Sequence, residues 1–281
     1  MEKTKKKVSP LRAVGTTLLI IFLLIELYPI IWLLLSSFKT NSEIALTPSY
    51  SLPQGIEVQN YIDAWNVGHM STFMGNSIYT TVFSLTFIVL LSAPAAFGLT
   101  KMRWKLSGPV STLFLMGIMI PVQVMLIPLF LMFKTANLLN TLECLIVAFS
   151  AFGLPMSIYL FSGFFKGIPN EMIEAAVIDG CSIYRGFFKI MLPLIKNAMV
   201  TILMISFMDV WNDLLFSMTF VSSTELKTLQ TGLVMFSGRF GARDWGPTFA
   251  AIAMGTLPTI LLYLGLNKVM IEGLTAGAVK G

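Results

Sequence analysis

An all-α membrane protein, a polytopic bundle of six transmembrane helices with both termini in the cytoplasm, is the fold class this sequence predicts. Three observations carry that expectation. The 281 residues are 56% hydrophobic and only 12% charged, with a mean hydropathy of +0.80, whereas a soluble domain is about a quarter charged. Six apolar runs, at residues 14–36, 73–100, 109–133, 141–165, 198–220 and 247–268, are each long enough to cross a hydrocarbon core about 30 Å thick. The basic residues also fall unevenly between the loops. One set of loops holds Lys3, Lys5, Lys6, Lys7, Arg12, Lys101, Arg103, Lys105, Lys166, Arg185, Lys189, Lys196, Lys268 and Lys280. The opposite set holds Lys39, Lys134, Lys227, Arg239 and Arg243. Retention of positive charge on the cytoplasmic side then puts both termini there.

Residues 1–13 read as a cytoplasmic N-terminal segment and residues 14–281 as one membrane domain. The run after Lys7 is too long for the apolar part of a signal peptide, and no small-residue cleavage site follows it, so it is expected to stay as the first span. That span carries Glu26 near its centre, with Pro29 and Trp32 beyond. An acid at such depth faces a bundle interior or a cavity. It is either a protonated acid hydrogen-bonded to a neighbouring helix or a ligand for substrate or ion. The outside loop Ser37–Thr72 follows, and its segment EVQNYIDAW, with Tyr61 and Trp65 one helical turn apart, suits an interfacial helix.

Proline falls inside five of the six runs, as Pro29, Pro94, Pro121 with Pro128, Pro155 and Pro258, and each removes a backbone bond and tends to kink its helix. The fifth run has none and carries Asp209, Trp211, Asn212 and Asp213 instead. Asp209 and Asp213 are four apart and share a helix face. Aspartates of an intramembrane protease would come from different helices with a Gly-x-Gly-Asp motif, which is missing, so a polar stripe facing a pathway or partner helix is the better reading.

Several chemistries are excluded. His69 is the single histidine, so no metal site with two imidazoles and no H-E-x-x-H motif is possible, and no G-x-S-x-G elbow occurs. Cys144 lies in a span and Cys181 in a polar segment, which suggests no disulfide framework. The net charge of +5 follows the membrane topology and implies no nucleic-acid partner. The dipeptide Gly-Lys needed by a phosphate-cradling loop is absent, so the chain is not expected to hydrolyse ATP itself.

One stretch does not belong in lipid. Between the fourth and fifth runs, residues 166–197 form a cytoplasmic loop whose centre, Glu171 to Pro193, carries Glu171, Glu174, Asp179, Arg185 and Lys189. Asn170 is placed to cap a helix whose first turn holds Glu171 and Glu174, where negative charge complements the helix dipole. Ala175 and Ala176 give it a small-residue face, and Gly180 stands where a left-handed cap is expected. Ser182 can then cap a second short helix ending before Leu192 and Pro193. The expected shape is helix, sharp turn, helix, lying across the membrane face.

The ordered set Glu174-Ala175-Ala176, Asp179-Gly180, Ile190, Leu192 and Pro193 resembles the EAA loop of membrane subunits in binding-protein-dependent ABC importers. The chain is most similar to the MalG-like carbohydrate permeases, through Asn76-Ser77, Pro121 and Pro128, Trp211-Asn212-Asp213 and the ending GLTAGAVKG. Cys181 stands where that family more often has alanine. The resemblance implies that Glu174, Ala175, Ala176, Asp179 and Gly180 form the coupling surface that docks on a cytoplasmic ATPase, with Gly277 to Gly281 adding contacts. It implies a second homologous permease, two ABC ATPase subunits carrying ATP and Mg, an extracytoplasmic solute-binding protein and a carbohydrate substrate. This chain itself would bind no cofactor and sit in a prokaryotic plasma membrane. The solute-binding protein would meet the loops around Ser37–Thr72 and Val221–Gly246. Tyr79, Trp211, Asn212 and Asp213 are the candidates for the substrate pathway. The alternatives are the same machine serving another small solute, an ion-coupled secondary transporter using Glu26 and Asp209, or a structural membrane protein.

Overall fold

The computed structural model describes the backbone of residues 10–240 and 244–278, and side chains within these except at 10, 11, 13, 235–240 and 270–278. Among the described residues the chain is helical without strands. In order, the helices are α1 (Pro10–Ser36), α2 (Asn41–Leu46), α3 (Gln59–Asn66), α4 (Met70–Lys101), α5 (Ser107–Ile118), α6 (Val122–Thr135), α7 (Leu142–Lys166), α8 (Glu171–Ile178), α9 (Ile183–Gly186), α10 (Leu192–Leu194), α11 (Lys196–Trp211), α12 (Leu215–Phe220), α13 (Leu229–Phe240) and α14 (Trp245–Ala278). Four are long and apolar enough to cross a membrane unaided: α1, α4, α7 and α14.

The expected third and fifth spans are not single helices. The third is broken between α5 and α6 by a bend of 101°, because Pro121 at the start of α6 has extended backbone and no N–H to continue α5. The fifth begins at Lys196, after a 76° bend from the preceding short helices, and stops at Trp211 instead of reaching Phe220. There the Asp213 carboxylate accepts bonds from the amides of Phe216 and Ser217 at 3.3 and 3.1 Å. Those side-chain bonds start α12 afresh and compete with continuation of α11. Pro29, Pro94, Pro128, Pro155 and Pro258 all lie within helices that carry on past them.

The chain divides into two compact units, one of residues 1–68 with 236–254, the other of residues 69–235 with 255–281. In the first unit the described residues of α1 are exposed from Thr16 to Ile31, Glu26 included. The loop beyond it is tightly knit. Buried Asn60 donates to the carbonyls of Ser37 and Lys39, both at 2.9 Å, and Tyr61 shares a 2.7 Å bond with the Ser37 hydroxyl. A capping box starts α2, Thr40 and Glu43 satisfying each other's backbone amides, and Glu43 also accepts from the amide of Gln54. These bonds, led by the Thr40 amide, hold the Glu43 carboxyl below its usual pKa range.

In the second unit α7 packs along α4, and two apolar cores form. One joins Phe97, Phe161 and Phe165 to Ile173, Phe187, Met191 and Ile202. The other gathers Phe133, Leu145, Phe149, Phe216 and Phe220. The first core holds the polar segment against the spans.

Candidate functional site

Alternation of apolar and polar residues at helical spacing gives α8 two faces. Ile173 is buried in the first core and Ala176 is buried as well, while Glu171, Glu174, Ala175 and Ile178 are exposed. The helix ends as its sequence dictates. Gly180 has φ of +79°, its amide donates to the Val177 carbonyl at 3.0 Å, and the Cys181 amide donates to Ala176 at 2.9 Å. This pair of bonds satisfies the last carbonyls only if Gly180 is left-handed, a region costly for any residue with a Cβ. Ser182 then caps α9 by accepting from the Arg185 amide.

At two places this segment departs from expectation. The Asn170 side chain makes no cap, since its Oδ1 accepts from the Lys101 ammonium at 2.8 Å. Lys101 also donates to the Ile168 carbonyl, so the end of α4 holds the start of α8. The second short helix does not stop before Leu192. It widens into a π-helical turn over Phe187–Met191, where the Leu192 amide donates to the Phe187 carbonyl, and continues through Pro193. Proline has no amide for an ordinary bond, and a π-turn absorbs the mismatch.

Two contributors were missed in the sequence. A Cβ at Gly186 would lie 2.8 Å from the Ile173 Cδ1, so glycine there lets α8 seat against α9. Its only sequence signal was a glycine inside a helical run. Lys101 gave no signal, because its partners lie 67 and 69 residues away.

The exposed surface of this segment combines Glu171, Glu174 and Asp179 with apolar side chains, including Ile178 at 85% exposure, Tyr184 at 77% and Phe188 at 61%. A contiguous apolar surface rimmed by charge suits a protein partner.

The residues expected along a substrate pathway are not brought together. Trp211 is buried, stacked on Phe207 at 5.4 Å, and its indole N–H donates to the Gly255 carbonyl at 3.4 Å. Asn212 is exposed, donates to the Met208 carbonyl and accepts from Gln230. Asp213 caps α12 and also lines a cavity of about 410 Å³ with Gln123, Phe149, Phe152, Ser206 and Asp209. Both helix breaks open onto this cavity, through Ile118, Ile120 and Val122 on one side and Asp213 and Leu215 on the other. Ser206 is buried, and neither it nor Asp209 has a hydrogen-bond partner among the described residues. Tyr79 packs its ring at a tilt against Phe83, centroids 4.7 Å apart, and lines a separate cleft of about 450 Å³ with Asn76, Asn140 and Glu143. Gln123 and Ser206 could have been marked as isolated polar residues in apolar runs. Arg239, Arg243 and the Gly277–Gly281 tail contacts lie outside the residues whose side chains are described.

Comparison with known proteins adds to this geometry. The profile of the family described as binding-protein-dependent transport system inner membrane component matches residues 88–272. A probable ABC transporter permease protein of Bacillus subtilis, YurM, is 35% identical, over 95% of this chain and 90% of its own length. The diacetylchitobiose uptake system permease protein NgcG of Streptomyces coelicolor is 30% identical over 95% and 89%. The melibiose/raffinose/stachyose import permease protein MelC of Bacillus subtilis is 32% identical over 90% and 91%. Among solved structures, a bacterial ABC transporter that imports the acidic polysaccharide alginate matches with a TM-score of 0.79 at 24% identity, over 91% of this chain and 95% of that one.

Proposed function

The chain belongs to the family of binding-protein-dependent transport system inner membrane components, and on that premise we propose that it is the permease subunit of an ATP-driven carbohydrate importer. It is a multi-pass plasma-membrane protein. The family match over residues 88–272 is the observation that carries this reading, and the names of the sugar and oligosaccharide permeases similar to it support a carbohydrate cargo.

Energy enters at α8. Glu174, Ala175, Asp179 and Gly180 face outward to dock on an ATPase, and Ala176 forms the inward side of the same short helix. The buried anchors Ile173 and Ala176 sit on α8, and Ile173 shares a core with Phe97 of α4, Phe161 and Phe165 of α7 and Ile202 of α11. Close-packed cores transmit displacement instead of absorbing it, so a push on α8 moves three spans with it. Nucleotide does work only if the two transporter states contact the ATPase differently. ATP and Mg belong on two separate ATPase subunits, since this sequence has no phosphate loop. A second homologous permease completes the pathway, and an extracytoplasmic solute-binding protein delivers the sugar.

For the sugar itself, Tyr79 offers an aromatic face in its cleft, where Asn76 and Asn140 are already bonded to residues 222–227. The cavity of Gln123, Ser206 and Asp209 offers polar groups between Phe149 and Phe152. The test is reconstitution of this chain with its neighbouring permease, ATPase and binding protein in proteoliposomes, with a panel of sugars, amino acids and polyols. Uptake of a sugar that requires both ATP and binding protein is expected. Uptake that persists without the ATPase and collapses with an uncoupler would instead identify an ion-coupled carrier.

A further inference from the structure

Two clefts flank α5 in the second unit, and Phe114 of α5 is a wall of both. The one against α7, about 400 Å³, runs from Ile158 and Tyr159 past Ser162 to Lys166. The one against α4, about 420 Å³, runs from Pro94 past Leu99 to Arg103 and Trp104. Their walls are largely apolar, no acidic residue lines either, and each ends on a single cation. Both cations are exposed and have no ion pair or hydrogen bond among the described residues. Ser162 is 92% buried by its 8% exposure, lines its cleft, and leaves its hydroxyl without a partner among the described residues.

Arg103 and Lys166 stand at one level of the molecule. Lys101, two residues before Arg103, donates to the carbonyl of Ile168, two residues after Lys166. The charge distribution puts this level at the cytoplasmic face. Trp104 is fixed there by its indole N–H, which donates to the Gly98 carbonyl at 3.0 Å, and tryptophan favours the headgroup region.

We propose that these clefts bind one anionic glycerophospholipid of the cytoplasmic leaflet, an acyl chain on each side of α5 and the phosphate between Arg103 and Lys166. Paired apolar clefts converging on two uncompensated cations match a molecule with two hydrocarbon tails and one negative head. The Ser162 hydroxyl then donates to an ester carbonyl oxygen of the lipid. Because the clefts abut α4 and α7 beside the Lys101 bonds, such a lipid steadies the base on which α8 is held.

The intact complex, delipidated in detergent and titrated with phosphatidylglycerol or phosphatidylcholine under native mass spectrometry, tests this. Phosphatidylglycerol is expected to bind more tightly. Arg103→Gln and Lys166→Gln should each weaken it about fivefold, the value of one cation near an anionic headgroup. Lys105→Gln, the same charge change outside both clefts, should leave binding unchanged. Gly163→Leu should lower binding by filling a cleft, since nothing lies within 4 Å of a Cβ there. Equal binding of the two lipids would overturn the proposal, as would an equal loss with Lys105→Gln. So would cross-linking of Ser111→Cys to another subunit, which would put protein in the cleft.

Discussion

The polar segment around α8 and the polar cluster from Ser206 to Asp213 look alike in sequence, each a patch of polar residues in an apolar chain. In the structure they behave oppositely. The α8 segment keeps its polar groups outward, and its shape comes from bonds between near neighbours: Cys181 to Ala176, Gly180 to Val177, Arg185 to Ser182. In the fifth span most of the polar groups are drawn into structural work. Trp211 bonds 44 residues away at Gly255, Asp213 starts a new helix, and Asn212 returns to its own backbone. A surface motif with local bonds keeps its side chains free for a partner. In the fifth span the polar side chains that meet a partner are drawn into the structure, and Ser206 and Asp209, which meet none among the described residues, are left to the cavity.

The largest test of that contrast is Gly180→Val. A β-branched residue at φ of +79° is strained by about 1–3 kcal/mol, enough to undo the cap and misplace the docking face. ATP-dependent uptake should fall roughly tenfold or more while the amount in the membrane, measured by immunoblot, is unchanged. Normal uptake would break the coupling assignment.

Next comes Trp211. Trp211→Ala should lower stability by about 3–5 kcal/mol, seen as a lower Tm in detergent, whereas Trp211→Phe should keep most of the uptake. If Trp211→Phe abolishes uptake without moving Tm, the indole is a sugar contact and the contrast drawn above fails.

A smaller effect is expected where the pathway residues are free. Tyr79→Ala and Ser206→Val should each raise the KM for sugar severalfold, an effect on the order of 1 kcal/mol, with the same maximal rate. A loss of rate at unchanged KM would remove them from the binding role.

The smallest concerns pH. The Glu43 carboxyl is depressed in the folded chain, so its contribution is present above the unfolded pKa and lost as pH falls through the folded one. Thermal stability should therefore fall toward acid, and Glu43→Gln should flatten that dependence. An unchanged acid limb in the variant would show that another carboxylate dominates.

Much of the fold was legible because apolar length and basic-residue asymmetry are additive along the chain. The runs at 14–36, 73–100 and 247–268 each fall inside a single long helix, and the run at 141–165 does so from its second residue, Thr141 being the cap. The broken spans were less legible, because six prolines lie in predicted runs and only Pro121 coincides with a sharp break. Whether a freed carbonyl is satisfied elsewhere depends on the neighbouring helix. The α8 shape was read nearly in full, but its fastening by Lys101 and its seat at Gly186 were not, since both depend on groups that meet only after folding.

By itself, then, the sequence determined the membrane class, the helix–turn–helix around α8 and the family. These rest on composition and on interactions within a few residues. Tertiary structure alone decided which polar side chains are occupied and which are left free. It buried Trp211, spent Asp213 on a helix start, opened the cavity at Ser206 and Asp209, and left Arg103 and Lys166 unpaired beside α5. Those outcomes depend on distances between residues far apart in the chain, set by packing of whole helices, and local pattern carries no record of them.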